Sequence, residues 1–175
     1  MIRGLDGKIP KIAESAFVSE VAYVVGDVEI GENSSVWPGA VIRGDCGKIK
    51  IGRNSVIEDN CVIHSGSPTY PPISDVTIGD NVIIGHGAVS NGRRIGNNVL
   101  IGMKSTILHD AEIGDYSIIA AGCIVKEKMK IPEKSFVVGV PAKIKGEVST
   151  EQLWWIQNSP KIYCELAEQY KKEGL

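Results

Sequence analysis

Residues 95–137 read IGNNVLIGMKSTILHDAEIGDYSIIAAGCIVKEKMKIPEKSFV, and an aliphatic residue returns at every sixth position. These eight positions are Ile95, Ile101, Ile107, Ile113, Ile119, Val125, Ile131 and Val137. Glycine often stands one place after the aliphatic residue, and a small residue usually stands four places after it. A repeat of aliphatic-Gly-x-x-small-x predicts a parallel β-helix, in which one hexad forms a short strand and a bend.

The same period runs through the N-terminal half of the chain. Every sixth residue from Ile12 to Ile42 is aliphatic, and the period resumes in residues 51–63 and 78–84. Three hexads make one triangular coil, with the aliphatic side chains inside and the glycine or polar pair at the corner. Coils stack at a strand spacing of about 4.8 Å and bury their interior against one another. Residues 11–142 therefore predict an all-β solenoid of about seven coils.

Two features interrupt the repeat. Residues 65–75, SGSPTYPPISD, contain three prolines and no aliphatic repeat, which predicts a loop ejected from the prism. The second interruption is a hexad that has lost one residue, because Ile95 follows Ser90 after five places. Ser90 also takes an inward place that is aliphatic in the other hexads.

The C-terminal segment follows a different pattern. Ser149 and Gln152 form a capping box, and Val148 with Leu153 can form a hydrophobic staple. Apolar residues then recur near helical spacing, which predicts an α-helix that lies along the outside of the prism.

Proline leaves two readings of this helix open. Pro160 either kinks the helix or starts a second helix with Ser159 as its cap. In both readings we expect a β-helix domain over residues 1–146 and a helical segment over residues 147–175.

Composition narrows the class of protein. At 175 residues the chain is one domain by length, and its formal net charge of -2 comes from interspersed acids and bases. We therefore expect no nucleic acid and no membrane as a partner. We read no membrane span and no signal peptide, because no apolar run approaches a spanning length. The four cysteines form no C-x-x-C pair, which favours free thiols and a cytoplasmic location.

Three histidines are the candidates for chemistry. A lone surface histidine on a solenoid is usually just solvated, and His109, beside Asp110 on a corner, fits that reading. His64 directly follows the inward Ile63, so it points out of the prism face. His86 comes two places after an inward isoleucine and lies among glycines.

Three segments resemble the γ-class carbonic anhydrase family. They are WPGAVIRGDCGKIKIG at residues 37–52, NSVIEDNCVIHS at residues 54–65, and IGDNVIIGHGAVSNGRRIGNNVLIGMKSTIL at residues 78–108. The resemblance covers nearly the whole chain, including the ejected loop and the C-terminal helix. It implies a left-handed β-helix that forms a trimer, with sites between subunits. In that family three histidines bind zinc or iron, two from one subunit and one from its neighbour.

Carried over by position, the resemblance makes His64 the first metal ligand and His86 the second. The third should follow the second by five residues, and that place holds Asn91. The inward residue before it is usually leucine in the family, and here it is Ser90. A leucine-histidine pair has therefore become serine-asparagine.

The resemblance also assigns residues around the ligands. An asparagine and a glutamine that often precede the first ligand are here Val56 and Glu58, whereas Asp59 is kept. Catalytic roles are implied for Glu58, for Asp59 and for Tyr163, which resembles a tyrosine on the helix that approaches the site.

Arg43 and Asp45 match the Arg-Gly-Asp of the family, which is associated with subunit contact and site architecture. The implied assembly is a homotrimer. Its implied cofactor is a divalent metal, zinc first and iron or cobalt as alternatives, and its implied substrates are CO2 and bicarbonate.

We expect this activity to be weak. Three neutral imidazoles leave zinc its full charge and one open position, which lowers the pKa of bound water to about 7. An amide oxygen from Asn91 is a weaker donor than imidazole, so metal affinity should fall. If the Glu58 carboxylate turned to the metal instead, the net charge would drop and the water would be less acidic.

Two other functions remain open from the sequence. Relaxed ligand positions fit a non-catalytic trimeric scaffold or metal-binding module. GVPAK at residues 139–143 also occurs in hexapeptide-repeat acyltransferases that use coenzyme A. Those enzymes usually need a catalytic histidine, which is often on an ejected loop. Residues 65–75 contain no histidine, although His64 immediately precedes them and could serve.

Overall fold

The computed structural model describes residues 1–66 and 75–175, which form short strands followed by one helix. The strands are β1 (Ile2–Arg3), β2 (Lys11–Ile12), β3 (Phe17–Val18), β4 (Tyr23–Ile30), β5 (Ser35–Val36), β6 (Val41–Ile51), β7 (Val56–Ile57), β8 (Val62–His64), β9 (Val76–Ile78), β10 (Ile83–Ile84), β11 (Val89–Ser90), β12 (Arg94–Ile95), β13 (Leu100–Ile101), β14 (Thr106–Ile107), β15 (Glu112–Ile113), β16 (Ile118–Ile119), β17 (Ile124–Val125), β18 (Lys130–Ile131), β19 (Ser135–Val138) and β20 (Lys143–Glu147). The helix, α1, is Thr150–Glu173.

These strands stack into three faces of a prism. The first face contains β1, β4, β6, β8, β11, β14 and β17, and the second contains β2, β4, β6, β9, β12, β15 and β18. The long strands β4 and β6 belong to both, because each bends around the shared corner. In the third face β3, β5, β7, β10, β13, β16 and β19 pair in parallel, and β20 closes it antiparallel to β19.

The prediction of a parallel β-solenoid of about seven coils is confirmed. The inward positions of residues 95–137 are buried, and the side chains of Ile101, Ile107, Ile113 and Ile119 are inaccessible to solvent. Full burial of one such side chain stabilises the fold by about 1.5–3 kcal/mol. The left-handed turn, which came from the resemblance alone, stays a prediction.

The repeat glycines serve the stacking of coils. A Cβ at Gly79 would lie 2.7 Å from the carbonyl oxygen of Gly96 in the next coil. The positive φ of the corners falls two places later, as at Asn81 and Asn98. The glycine is therefore required by close approach, whereas asparagine accepts the left-handed backbone.

The C-terminal segment is a single helix, so a second helix starting at Ser159 does not form. The capping box of Ser149 and Gln152 is present. Pro160 has no N–H to donate within the helix, and just before it the Ser159 hydroxyl donates to the carbonyl of Trp155 at 2.8 Å.

The helix packs on the third face, where its residues Tyr163 and Ala167 join an apolar cluster with Trp37 and Val56. The helix begins three residues after β20 ends at Glu147. The division into units of 1–146 and 147–175 stays a prediction. The loop predicted at residues 65–75 falls mostly on residues 67–74, which lie outside the described residues.

Candidate functional site

His64 lies at the end of β8, beside β6, where its backbone pairs with Arg43. Its Nε2 lies 2.9 Å from Oδ1 of Asp45. Arg43 donates to the other oxygen of that carboxylate at 2.5 Å. Although burial acts to raise it, hydrogen bonds from His64 and Arg43 hold the pKa of Asp45 below its usual value. The structure thus joins His64 to both residues of the Arg-Gly-Asp segment.

Asn91 lies on the opposite side of the His64 ring. It follows β11 in the same face, and its Nδ2 is 3.3 Å from Nδ1 of His64 and 3.4 Å from the His64 carbonyl oxygen. Ser90 before it is fully buried in the inward place, between Ile63 and Ile107 of the neighbouring coils. The shortened hexad therefore keeps its inward register and presents Asn91 outward beside His64.

His86 belongs to a different group, at the corner between the third and first faces. Glu58 is only 5% exposed, and its Oε2 accepts the backbone N–H of His86 at 2.8 Å. The same oxygen lies 3.1 Å from Nε2 of His86, and Oδ2 of Asp59 lies 2.9 Å from Nδ1. The His86 side chain is half-exposed. Both ring nitrogens of a solvent-accessible histidine are thus held by carboxylates.

Tyr163 extends this second group from the helix. Its hydroxyl donates to Oε1 of Glu58 in a short hydrogen bond. Its ring lies edge-on against Trp37, with ring centroids 6.0 Å apart. Burial, and then the bond to Glu58, raise the pKa of Tyr163 well above its usual value. The hydroxyl therefore stays protonated and keeps a donor on the buried carboxylate.

The two groups lie at opposite edges of the first face. His86 precedes β11 at one corner, whereas His64 ends β8 and Asn91 follows β11 at the other. The rest of the corner after β10 and the strand β11 lie between His86 and Asn91. The third histidine, His109, is exposed on a corner beside Asp110 and joins neither group. Within one chain, His64 and His86 thus have different carboxylate partners and belong to separate groups.

Cys46 is a residue that the sequence reasoning missed. Its thiol, a carboxylate oxygen of Asp45 and a ring nitrogen of His64 all lie within 4.8 Å of one another. Burial, followed by the charge of Asp45 and a bond to it, raises the pKa of Cys46. The available signal was its place directly after the Arg-Gly-Asp segment.

Over residues 1–66 and 75–175, no helix combines the length and the apolar character that crossing a bilayer would require.

A family model described as "Bacterial transferase hexapeptide (six repeats)" matches residues 10–44 and 94–127. The chain is 35% identical over 168 residues to "Gamma carbonic anhydrase 2, mitochondrial" of Arabidopsis thaliana, which covers 95% of this chain. The chain spans only 60% of the length of that relative. It is 46% identical over 157 residues to "Probable carbonic anhydrase" of Methanocaldococcus jannaschii, covering 90% of this chain and 96% of that protein.

Among solved structures, a Bacillus cereus protein described as a "putative acetyltransferase" superimposes with a TM-score of 0.90. The two chains are 37% identical, and the match covers 98% of this chain and 96% of the Bacillus cereus chain.

Proposed function

Because the chain belongs to the γ-carbonic-anhydrase-like family of hexapeptide-repeat proteins, we propose that it is a homotrimer that holds a divalent metal between subunits and hydrates CO2 weakly. Zinc is the first choice of metal, with iron or cobalt as alternatives, since all three accept imidazole ligands. The four free cysteines suit a reducing compartment, and the proposed location is the cytoplasm.

One observation carries this proposal: His64 and His86 stand at opposite edges of a single face. Neighbouring copies that packed edge to edge would bring His86 of one subunit to His64 and Asn91 of the next. That division, two positions from one chain and one from its neighbour, is the division that the resemblance implies for the three ligands.

The residues at these three positions fit a divalent metal, with one weak ligand among them. His64 and His86 supply imidazole nitrogens, which are common ligands of zinc. Asn91 occupies the third ligand position. In the observed orientation its amide nitrogen, which is not a metal ligand, faces His64. We therefore infer lower metal occupancy than a set of three histidines would give.

Both nitrogens of the half-exposed His86 ring contact carboxylates. One of these contacts must break before that nitrogen can bind a cation. Glu58 is fixed by Tyr163 and by the His86 backbone, so its contact with Nε2 orients the ring. Asp59 holds the other nitrogen.

When bound, the metal supplies a Lewis acid that makes water nucleophilic near neutral pH. Around it, Glu58 and Asp59 place two carboxylates at the corner as proton acceptors, and the Tyr163 hydroxyl keeps Glu58 oriented. Arg43 lies at the other edge, paired with Asp45. The resemblance associates this pair with subunit contact.

A second candidate is an acyltransferase, favoured by the likeness to the Bacillus cereus protein and by the His64–Asp45 pair, which resembles an oriented general base. A non-catalytic scaffold is the third. Four measurements distinguish the three candidate functions. They are metal analysis, sedimentation equilibrium, stopped-flow CO2 hydration and thiol release from acyl-coenzyme A. We expect a trimer that contains metal, slow CO2 hydration and no thiol release. A monomer, or a metal-free trimer that releases thiol, would overturn the proposal.

A further inference from the structure

Three side chains with different donor atoms meet on the edge of the first face. Asp45 and Cys46 lie in β6, and His64 lies in the adjacent β8. Their carboxylate oxygen, sulfur and ring nitrogen lie within 4.8 Å of one another, the one such group of three that residues 1–66 and 75–175 contain. All three belong to one chain, so the grouping does not depend on assembly.

The three donors already lie close together. Nε2 of His64 is 2.9 Å from one oxygen of the Asp45 carboxylate, and Arg43 donates to the other oxygen. The Cys46 sulfur lies within 4.8 Å of both the carboxylate and the ring nitrogen. The Asp45 and His64 side chains are only 19% and 16% exposed, so the cluster is sheltered without being closed. Arg43 fixes the carboxylate, which lowers the conformational cost of gathering these donors.

This donor set suits zinc. Structural and catalytic zinc sites take thiolate, imidazole and carboxylate ligands at about 2.0–2.3 Å, and sites with three protein ligands keep a fourth position open. A cation here would take the places of the proton on Nε2 and the proton on sulfur. Side-chain shifts on the order of 1 Å would bring the widest pair of donors to that distance.

Asn91 then has a role other than metal ligation. It lies on the Nδ1 side of His64, away from the Asp45 contact at Nε2. A metal-bound histidine usually donates its second ring N–H to an oxygen, which fixes the orientation of the ring. With its amide turned so that Oδ1 faces Nδ1, Asn91 supplies that oxygen.

We propose that each chain supplies three ligands of this metal, Nε2 of His64, the Cys46 thiolate and the Asp45 carboxylate, with Asn91 as the residue that orients His64. The inference deepens the proposed function and rests on it for the presence of a metal. The fourth position is open to His86 of a neighbouring subunit or to water.

Cobalt(II) is a probe that reports the ligands directly, because thiolate bound to cobalt gives a near-ultraviolet charge-transfer absorption that nitrogen and oxygen ligands do not give. Metal-stripped full-length protein is titrated with Co²⁺. The wild type should develop this band at one equivalent per chain. Cys46→Ser should lose it, whereas Cys164→Ser, at another partly exposed free cysteine, should retain it.

Two further variants separate ligation from orientation and from assembly. Asn91→Ala should keep the charge-transfer band while binding cobalt about 10- to 100-fold more weakly, the usual effect of removing an orienting residue. His86→Ala should also keep the band. Folding of each variant is checked by circular dichroism without metal, and zinc should slow alkylation of Cys46 in the wild type if Cys46→Ser fails to fold.

The outcomes distinguish the two proposals. Visible cobalt bands without a thiolate band, lost in His86→Ala, would overturn this inference and leave the intersubunit metal site standing. A thiolate band that survives Cys46→Ser, or zinc that leaves Cys46 alkylation unchanged, would also overturn it. No cobalt absorption in the wild type would overturn both proposals.

Discussion

Nδ2 of Asn91 lies 3.3 Å from Nδ1 of His64 within one chain. The residue at the place of the third histidine is therefore packed against the first histidine, and His86 belongs to a separate group. This arrangement divides the candidate site between the two edges of one face, and it determines what changes at position 91 should do.

Replacing Asn91 by histidine tests which ligand set holds the metal. With position 91 as the third ligand of the intersubunit site, the change should increase metal content. With Cys46 and Asp45 as ligands it should not, because Asn91 lies on the Nδ1 side of His64, away from Nε2. Asn91→His adds an imidazole beside His64, and Ser90→Leu in the same variant restores an aliphatic side chain to the inward place between Ile63 and Ile107. If position 91 is a ligand position, metal analysis of the purified double variant should show higher zinc per chain, and stopped-flow assays should show faster CO2 hydration. His109→Asn, at an exposed corner, is the control and should leave the metal content unchanged. A double variant with no gain would mean that position 91 is not a ligand position, as the ligand set of His64, Cys46 and Asp45 requires.

Removing the Tyr163 hydroxyl should destabilise the protein. Tyr163→Phe leaves the buried Glu58 carboxylate without one of its donors, which costs about 1–3 kcal/mol in the free energy of unfolding. Urea denaturation measures this loss. Tyr23→Phe removes a hydroxyl from a partly exposed side chain on another face, and we expect a change of at most about 0.5 kcal/mol there. Equal effects of the two substitutions would contradict the role given to Tyr163.

Cys61 should make stability fall at alkaline pH. Burial raises its pKa from the ordinary 9.0 to about 11. Because the folded-state pKa is the higher one, the contribution is fully present below pH 9.0 and is lost as pH rises towards about 11. The difference in unfolding free energy between wild type and Cys61→Ala should therefore shrink from about pH 8 to about pH 10.5. Urea titrations under reducing conditions test this, and a difference that does not change with pH would contradict it.

The N-terminal cap should hold the first turns of α1 in place. Ser149→Ala removes the side-chain oxygen that accepts the Gln152 N–H, at a cost of about 0.5–2 kcal/mol. Hydrogen exchange should then increase in the first turns of α1. Thr150→Ala, the next residue, leaves the cap intact and is the matched control. If both substitutions changed exchange equally, the cap would not be what holds this end of the helix.

The fold was predictable because its signal is local and repeated. Each hexad places one aliphatic side chain inward, so Ile101 and Ile119 could be assigned without knowledge of the coils around them. The same rule overestimates burial in the first coil. Ile12 and Val18 take inward positions but are only partly buried, because the first coil has a neighbour on one side only.

The sequence predicted which residues belong to the candidate site better than it predicted which of them contact one another. Resemblance pointed to His64, His86 and Asn91, but a period of six cannot say which side chains meet across coils. Cys46 reaches His64 because β6 bends around a corner where the repeat slips, and Tyr163 reaches Glu58 from 105 residues away. Both contacts depend on tertiary packing, for which the sequence carries no periodic signal.

Anomalous diffraction at the zinc edge, on crystals of the metal-loaded wild type, tests the central claim most directly. We predict a peak within bonding distance of Nε2 of His64, at a contact where His86 of a neighbouring subunit faces it, in a trimer. A trimer with no peak at His64, or a peak at a site that contains neither histidine, would contradict the account.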